Sequence, residues 1–425
     1  MTTVSGFLPR EISAMVNATV VRQHAQDAAF LWGQRTRAVG DPRYTLDDLA
    51  ALDGRVDAHL EGLLVAGEAG AAACLREVEA QRSGAVFALA VLAFSTGRRA
   101  WMSAALTAVD ATGAAPAELI SALGWLGFDR VAKSVELLLR APSAAHRRMG
   151  MAACAVARRD PGEALRHALG AADPALRARA LRAAGELRRR DLGERIGAQL
   201  DDTVDEVRFW AAWAATLLGL PEGVSVLWEF TQAAHARTTR ALEMTLRSVP
   251  LAQARELVRS LARRAGLERL VVMATGMVGD PVSVPWLIER MEDPALARLA
   301  GAAFVTITGI DLSYADLVRQ PDQTPALDEA ALLPPVDCEA SLDWPSAALV
   351  AAWWKENGRR FASGTRHLAG RPIDAGCAIE VLMRGRQPQR AAAVIELARL
   401  TPDWVPIEIR ARAQQQRGEM QRWTS

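Results

Sequence analysis

The stretch DEVRFWAAWAATLLGLPEGVSVLWEF, residues 205–230, decides the fold. Val207, Trp210, Ala211, Ala214 and Leu218 recur at helical intervals and share one stripe. Asp205 is the expected N-cap, because its carboxylate can accept from a main-chain N–H of the first turn. Gly219-Leu220-Pro221 then breaks the chain: glycine suits the left-handed end of a helix, and proline can open a helix but not continue one. Val224, Leu227, Trp228 and Phe230 begin a second apolar stripe. A pair of short helices with one apolar face each is a unit that buries itself only by stacking on another.

The unit recurs on both sides. Arg147, Arg177, Arg208, Arg240, Arg269 and Arg298 are separated by 30, 31, 32, 29 and 29 residues. Three positions after five of them stands a small or aliphatic residue (Gly150, Ala180, Ala211, Val272, Gly301), and seven positions after stands another (Cys154, Ala184, Ala215, Gly276, Val305). The Arg240 copy carries Glu243 and Arg247 instead. Asp173-Pro174 and Asp293-Pro294 are expected to open their units as Asp205 does. A fixed period of this size predicts an all-α fold, an α-solenoid of stacked helix pairs that presents a long surface to a macromolecule.

Composition agrees. Of 425 residues, 50% are hydrophobic, with Ala and Leu in excess, and β-branched runs of period two are nearly absent. The net charge of +1 gives no global reason to expect nucleic acid or an anionic membrane. Charge separates locally: residues 140–200 carry 13 Arg against six acids, whereas residues 311–343 carry eight acids against Arg319 alone. Cys74, Cys154, Cys338 and Cys377 form no CxxC pair, which fits buried thiols in a reducing compartment rather than disulfides or a zinc site. The N-terminus lacks the features of a signal peptide, and no charge-free apolar run reaches roughly 18 residues, so a cytoplasmic protein with no membrane partner is expected.

Four regions follow. Residues 1–83 read as an N-terminal helical cap, with a helix near 11–32, a turn at Gly40-Asp41-Pro42 and a second helix from Leu46. Residues 84–310 hold the repeats, 311–345 form an acidic, proline-rich insertion, and 346–425 form a C-terminal helical region ending in a helix pair at about 373–418.

The Asp-x-Val-Arg of Asp205, Val207 and Arg208, followed by Ala211, Ala212 and Ala215 and a Gly/Pro break, resembles the HEAT repeat in its short bacterial form. DPALRARALRAAGEL (173–187) matches nearly as well. A narrower resemblance rests on GAAFVTITGIDL (301–312), the Trp353-Trp354 pair, RFASGTRHLAGRP (360–372) and RGRQPQRAAAVIELA (384–398). Together these are similar to a family of bacterial HEAT-repeat proteins whose genes lie in type VI secretion effector clusters. The resemblance implies a non-catalytic immunity protein that binds a cognate effector toxin, here a nuclease and in particular a DNase. An effector-loading adaptor or chaperone of the same secretion system is the alternative. A HEAT-like DNA glycosylase is a second one.

The candidate site residues are weighed on that footing. The acids Asp311, Asp316, Asp322, Asp328, Glu329, Asp337, Glu339 and Asp343 could imitate a nucleic-acid backbone and steer a basic toxin into contact. Trp213 lies off the main stripe and is expected to face a partner. The repeating arginines could line a groove for phosphates, but their place beside stacking alanines favours pairing with an Asp or a helix end. The cluster of Trp210, Trp213 and Trp228 would suit base excision only with a carboxylate beside it. His24, His59, His146, His167, His235 and His367 show no metal-ligand spacing, and no phosphate-binding loop or nucleophile elbow is present. No catalytic residue, cofactor, metal or direct nucleic-acid contact is therefore expected.

Overall fold

The computed structural model describes residues 17–112, 116–232, 235–320 and 339–424. Among these the chain is an all-α solenoid of helix pairs; the sheet content is one two-stranded hairpin and an isolated bridge between Val318 and Pro345. Two compact units are formed. The first takes the described residues of Met1–Val39, Asp47–Ala164 and Arg410–Glu419; the second takes Gly40–Leu46, Leu165–Ile409 and the described residues of Met420–Ser425.

The first unit contains α1 (Ala18–Ala38), α2 (Leu46–Val65), α3 (Glu68–Glu79), α4 (Ala85–Thr96), α5 (Arg99–Thr112), α6 (Pro116–Leu126), α7 (Phe128–Leu139) and α8 (Ala144–Val156). α1 is capped by Asn17, whose side chain accepts from the Thr19 and Val20 main chain. α4 is apolar on every side and buried from Ala85 to Phe94, which makes it the centre of this core. Trp32 stacks on Phe87 at 3.6 Å and 4°, and Trp125 meets both rings edge-on at 5.6 and 5.5 Å. Gly84 precedes α4 at φ +88°; a Cβ there would lie 2.2 Å from the Ala29 carbonyl oxygen, so only glycine fits.

Arg35 is 1% exposed within this aromatic cluster. Its Nε donates to Asp53 Oδ1 at 3.0 Å, and its Nη atoms donate to the Arg410 and Ala411 carbonyls at 2.6 and 2.7 Å. The other oxygen of Asp53 accepts from the Ala413 main-chain N at 2.7 Å, at the start of the C-terminal helix, Ala413–Thr424. Arg412 pairs with Asp57, which also accepts from Trp125 Nε1 at 3.0 Å. Burial raises the Asp57 carboxyl above its ordinary range despite Arg412.

The second unit stacks α9 (Pro174–Glu186), α10 (Asp205–Leu218), α11 (Thr238–Ser248), α12 (Glu268–Val278) and α13 (Ala297–Thr308), each against the next. Partner helices, among them Glu222–Glu229, Leu251–Ala262 and Val284–Arg290, intervene. The predicted stripe of Val207, Trp210, Ala211, Ala214 and Leu218 is buried throughout. Small residues on the repeat helices set how closely they approach, at the repeat position Gly276 and at Gly185, next to the repeat position Ala184. A Cβ on Gly276 of α12 would come 2.8 Å from the Ala303 Cα of α13, and one on Gly185 of α9 would come 3.0 Å from the Ala214 Cα of α10.

The helix starts are less uniform than expected. Asp173 caps α9, accepting from the Leu176 N at 2.7 Å. Asp205 is not a cap but a first-turn residue; the preceding turn is closed by Asp202, which accepts from the Val204 N. Asp293 makes a turn to the Ala295 N before its helix begins at Ala297. Asp-Pro places a cap directly before a helix at Asp173-Pro174, whereas after Asp293-Pro294 the helix starts only at Ala297.

Beyond the repeats come Ala347–Asn357, a hairpin of His367–Leu368 with Arg371–Pro372, and α14 (Ala375–Arg384) and α15 (Gln387–Leu400). The segment 366–370, absent from the sequence reading as structure, forms a strap across the ends of three repeat helices. Arg366 donates to the Leu246 and Val249 carbonyls at the end of α11. The His367 N donates to the Gly279 carbonyl just past α12, and the Ala369 and Gly370 N atoms donate to Thr306 and Ile307 in α13. Each bond fills a carbonyl that a helix end leaves without an internal partner.

Candidate partner-binding surface

The acidic segment splits when it is followed residue by residue. Asp322, Asp328, Glu329 and Asp337 lie outside the described residues. Glu339, expected to face a partner, instead faces the protein: it is 6% exposed, its carboxylate pairs with Arg269, and its carbonyl accepts from Arg298. Asp311 is half-buried, receives Arg386 Nη2 at 2.5 Å and turns the chain through the Tyr314 N. The physical reason is common to both. Each carboxylate meets an arginine, Arg269 of α12 for Glu339 and Arg386 just before Gln387–Leu400 for Asp311, and pairing offsets the desolvation of both groups. Asp316 and Asp343 remain exposed. Asp343 accepts from the Ser313 hydroxyl at 2.9 Å and has no cationic partner among the described residues.

Between α12, α13 and these loops lies a cleft of about 450 Å³. Its apolar walls include Met273, Leu299, Val305, Ile310 and Leu342. Arg43, Arg386, Asp311, Glu339 and Asp343 line its polar part. Arg43 pairs with Asp41 at 2.7 Å. Burial pushes the Asp41 carboxyl up, but hydrogen bonds from Arg43 and Ser341 outweigh it and hold the group below its ordinary value. Sequence reasoning missed Arg43 and Arg386. The signal lay in Gly40-Asp41-Pro42, read only as a turn, and in the RGRQPQR run at 384–390.

The repeating arginines behave as internal ties. Arg147 donates to the Ala141 and Pro142 carbonyls. Arg177 donates to Ala171, Ala172 and Asp202, and Arg208 to Glu229 at 2.8 Å. Arg269 and Arg298 converge on Glu339. The irregular Arg240 lies over the Trp210 ring at 5.5 Å.

Trp213 is half-buried; its ring meets Trp210 edge-on at 5.4 Å and packs beside Gly185 of α9. Trp228 packs against the neighbouring core. The structure does bring a carboxylate to this cluster: Glu206 Oε1 accepts from Trp210 Nε1 at 2.8 Å. Glu206 is also bound by Arg237 at 2.6 Å, while Trp210 is 4% exposed with Arg182 over its ring at 4.7 Å. A buried, roofed indole offers no free face for stacking on a base, and a carboxylate held by a guanidinium is a poor general base.

Elsewhere, His24 and His59 of the first unit face each other with Nδ1 atoms 3.1 Å apart, and Asp27 lies 3.9 Å from His59. Among the described residues no group of three or more His, Cys, Asp or Glu side chains is placed to hold a metal ion. Cys74, Cys154 and Cys377 are buried and outside any disulfide, and burial pushes the Cys74 thiol up to about 12. No described helix is long and apolar enough to cross a membrane.

Comparison with curated proteins gives no match. Residues 162–247, which contain α9, α10 and all but the last residue of α11, match a family model described as HEAT repeats, so the solenoid carries a HEAT-repeat segment, an architecture that commonly mediates protein–protein interaction.

Proposed function

We propose that this chain is a non-catalytic immunity protein that binds a type VI secretion effector and neutralises it in the cytoplasm, the effector being a nuclease. The observation that carries the reading is the contrast on the second unit between spent and unspent side chains. The arginines, tryptophans and Glu206 that a nucleic-acid enzyme would use are engaged internally, whereas Asp316 is exposed and Asp343 stands exposed at the lining of a cleft. A repeat scaffold supplies a large contact area, and exposed carboxylates favour a basic partner and speed its encounter. Occlusion of the toxin requires no chemistry from the scaffold.

The test is purification of the tagged protein from its source bacterium, followed by toxicity assays in a cell that lacks the secretion apparatus. A near-stoichiometric toxin-like partner together with protection supports neutralisation. Binding without protection points to the loading adaptor. Release of bases from alkylated DNA by the purified chain would overturn the non-catalytic reading.

A further inference from the structure

We propose that the cleft between α12, α13 and the 310–313 and 339–343 loops is a binding site for a small amphipathic organic cation, an alkyl or aryl ammonium. The proposal does not depend on the immunity reading. Three observations carry it. The volume of about 450 Å³ lies within the range of small-molecule pockets. The walls formed by Met273, Leu299, Ile310 and Leu342 offer an apolar body a surface that is otherwise left to water.

The third observation is the charge balance of the lining. Arg43 is matched by Asp41 and Arg386 by Asp311, while the Glu339 carboxylate is matched by Arg269, with Arg298 on its carbonyl. Among the described lining residues Asp343 has no guanidinium partner; the Ser313 hydroxyl donates to it at 2.9 Å. An ammonium there replaces water with an opposite charge at the border of a low-dielectric wall. An anion would meet Asp343 and find both arginines already engaged. A neutral amphiphile would gain the apolar contact only.

Titration calorimetry of the full chain with octylammonium, octanoate and octanol decides the matter. Octylammonium is expected to bind saturably at one site, and octanoate not to bind measurably. Asp343→Asn should weaken octylammonium roughly threefold to fivefold, the worth of a partly exposed ion pair, and added salt should do the same. Ala302→Phe, which places a ring in the cleft, should abolish binding. Non-saturable uptake, equal affinity for octanol, or indifference to Asp343→Asn would each overturn the proposal. Because Asp343 is exposed, its substitution leaves the fold intact and keeps the test decisive even if Ala302→Phe fails to fold.

Discussion

Each unit is held internally by a late segment of the chain, but by different chemistry. In the first, residues 410–413 are held through charged side chains: Arg35 reaches two carbonyls, Asp53 receives Arg35 and the Ala413 N, and Arg412 pairs with Asp57. In the second, the strap at 366–370 is held mostly through its own backbone, with Arg366 as the one charged contributor. A clasp made of buried charge concentrates its energy in one or two residues. A strap made of main-chain bonds spreads it.

The largest effect is therefore expected at Asp53. Asp53→Ala leaves the Arg35 guanidinium buried without its carboxylate and should cost about 3–5 kcal/mol, read by chemical denaturation. A loss below about 1 kcal/mol would mean the two carbonyls suffice and the contrast between clasp and strap fails. Next is Gly276→Ala. Its Cβ would press on Ala303, and overpacking of this kind costs about 1–3 kcal/mol. An unchanged midpoint would show that α12 and α13 can separate freely.

Arg366→Met sharpens the comparison from the other side. Burial, with Arg247 and Arg399 nearby, lowers the Arg366 pKa to about 10, so its charge is already disfavoured where it sits. Two hydrogen bonds are lost but that strain is relieved, and a net cost of roughly 1–2 kcal/mol is expected. A cost equal to that of Asp53→Ala would show the strap to be as concentrated as the clasp.

The smallest effect concerns pH. Burial holds the His59 pKa below its ordinary value, with His24 and Arg55 acting in the same sense against Asp27. A lowered folded-state pKa means that protonation favours unfolding. The contribution is present above the unfolded value of about 6.5 and is lost as pH falls through the folded one. Stability should drop as pH falls below the unfolded value of about 6.5, and His59→Asn should blunt that drop; an identical pH profile in the variant would refute the assignment.

The repeat was legible because it is written in residue types at fixed spacing. Helix stacking demands small residues where helices cross, and Ala184, Gly276 and their equivalents announce those crossings from the sequence alone. The stripe of 205–218 could be read in the same way, since burial follows a 3.6-residue period. The strap was not legible because main-chain N–H groups that fill helix ends impose no side-chain pattern. Glu339 was misread for a related reason: its partner Arg269 lies 70 positions earlier, and in an acidic run nothing marks the one carboxylate that turns inward. Arg35 and the Arg410 carbonyl, 375 positions apart, are further still from any local signal.

A stack of repeats in which each touches only its neighbours can fray from one end, losing units one by one. The strap changes that arithmetic for the second unit. Because one short stretch bonds to α11, α12 and α13 together, the third of these cannot detach without breaking contacts that also secure the first. Melting of these three repeats should accordingly be a single all-or-none event, and amide hydrogens of α11 and α13 should exchange with solvent at a common rate rather than in a gradient along the stack.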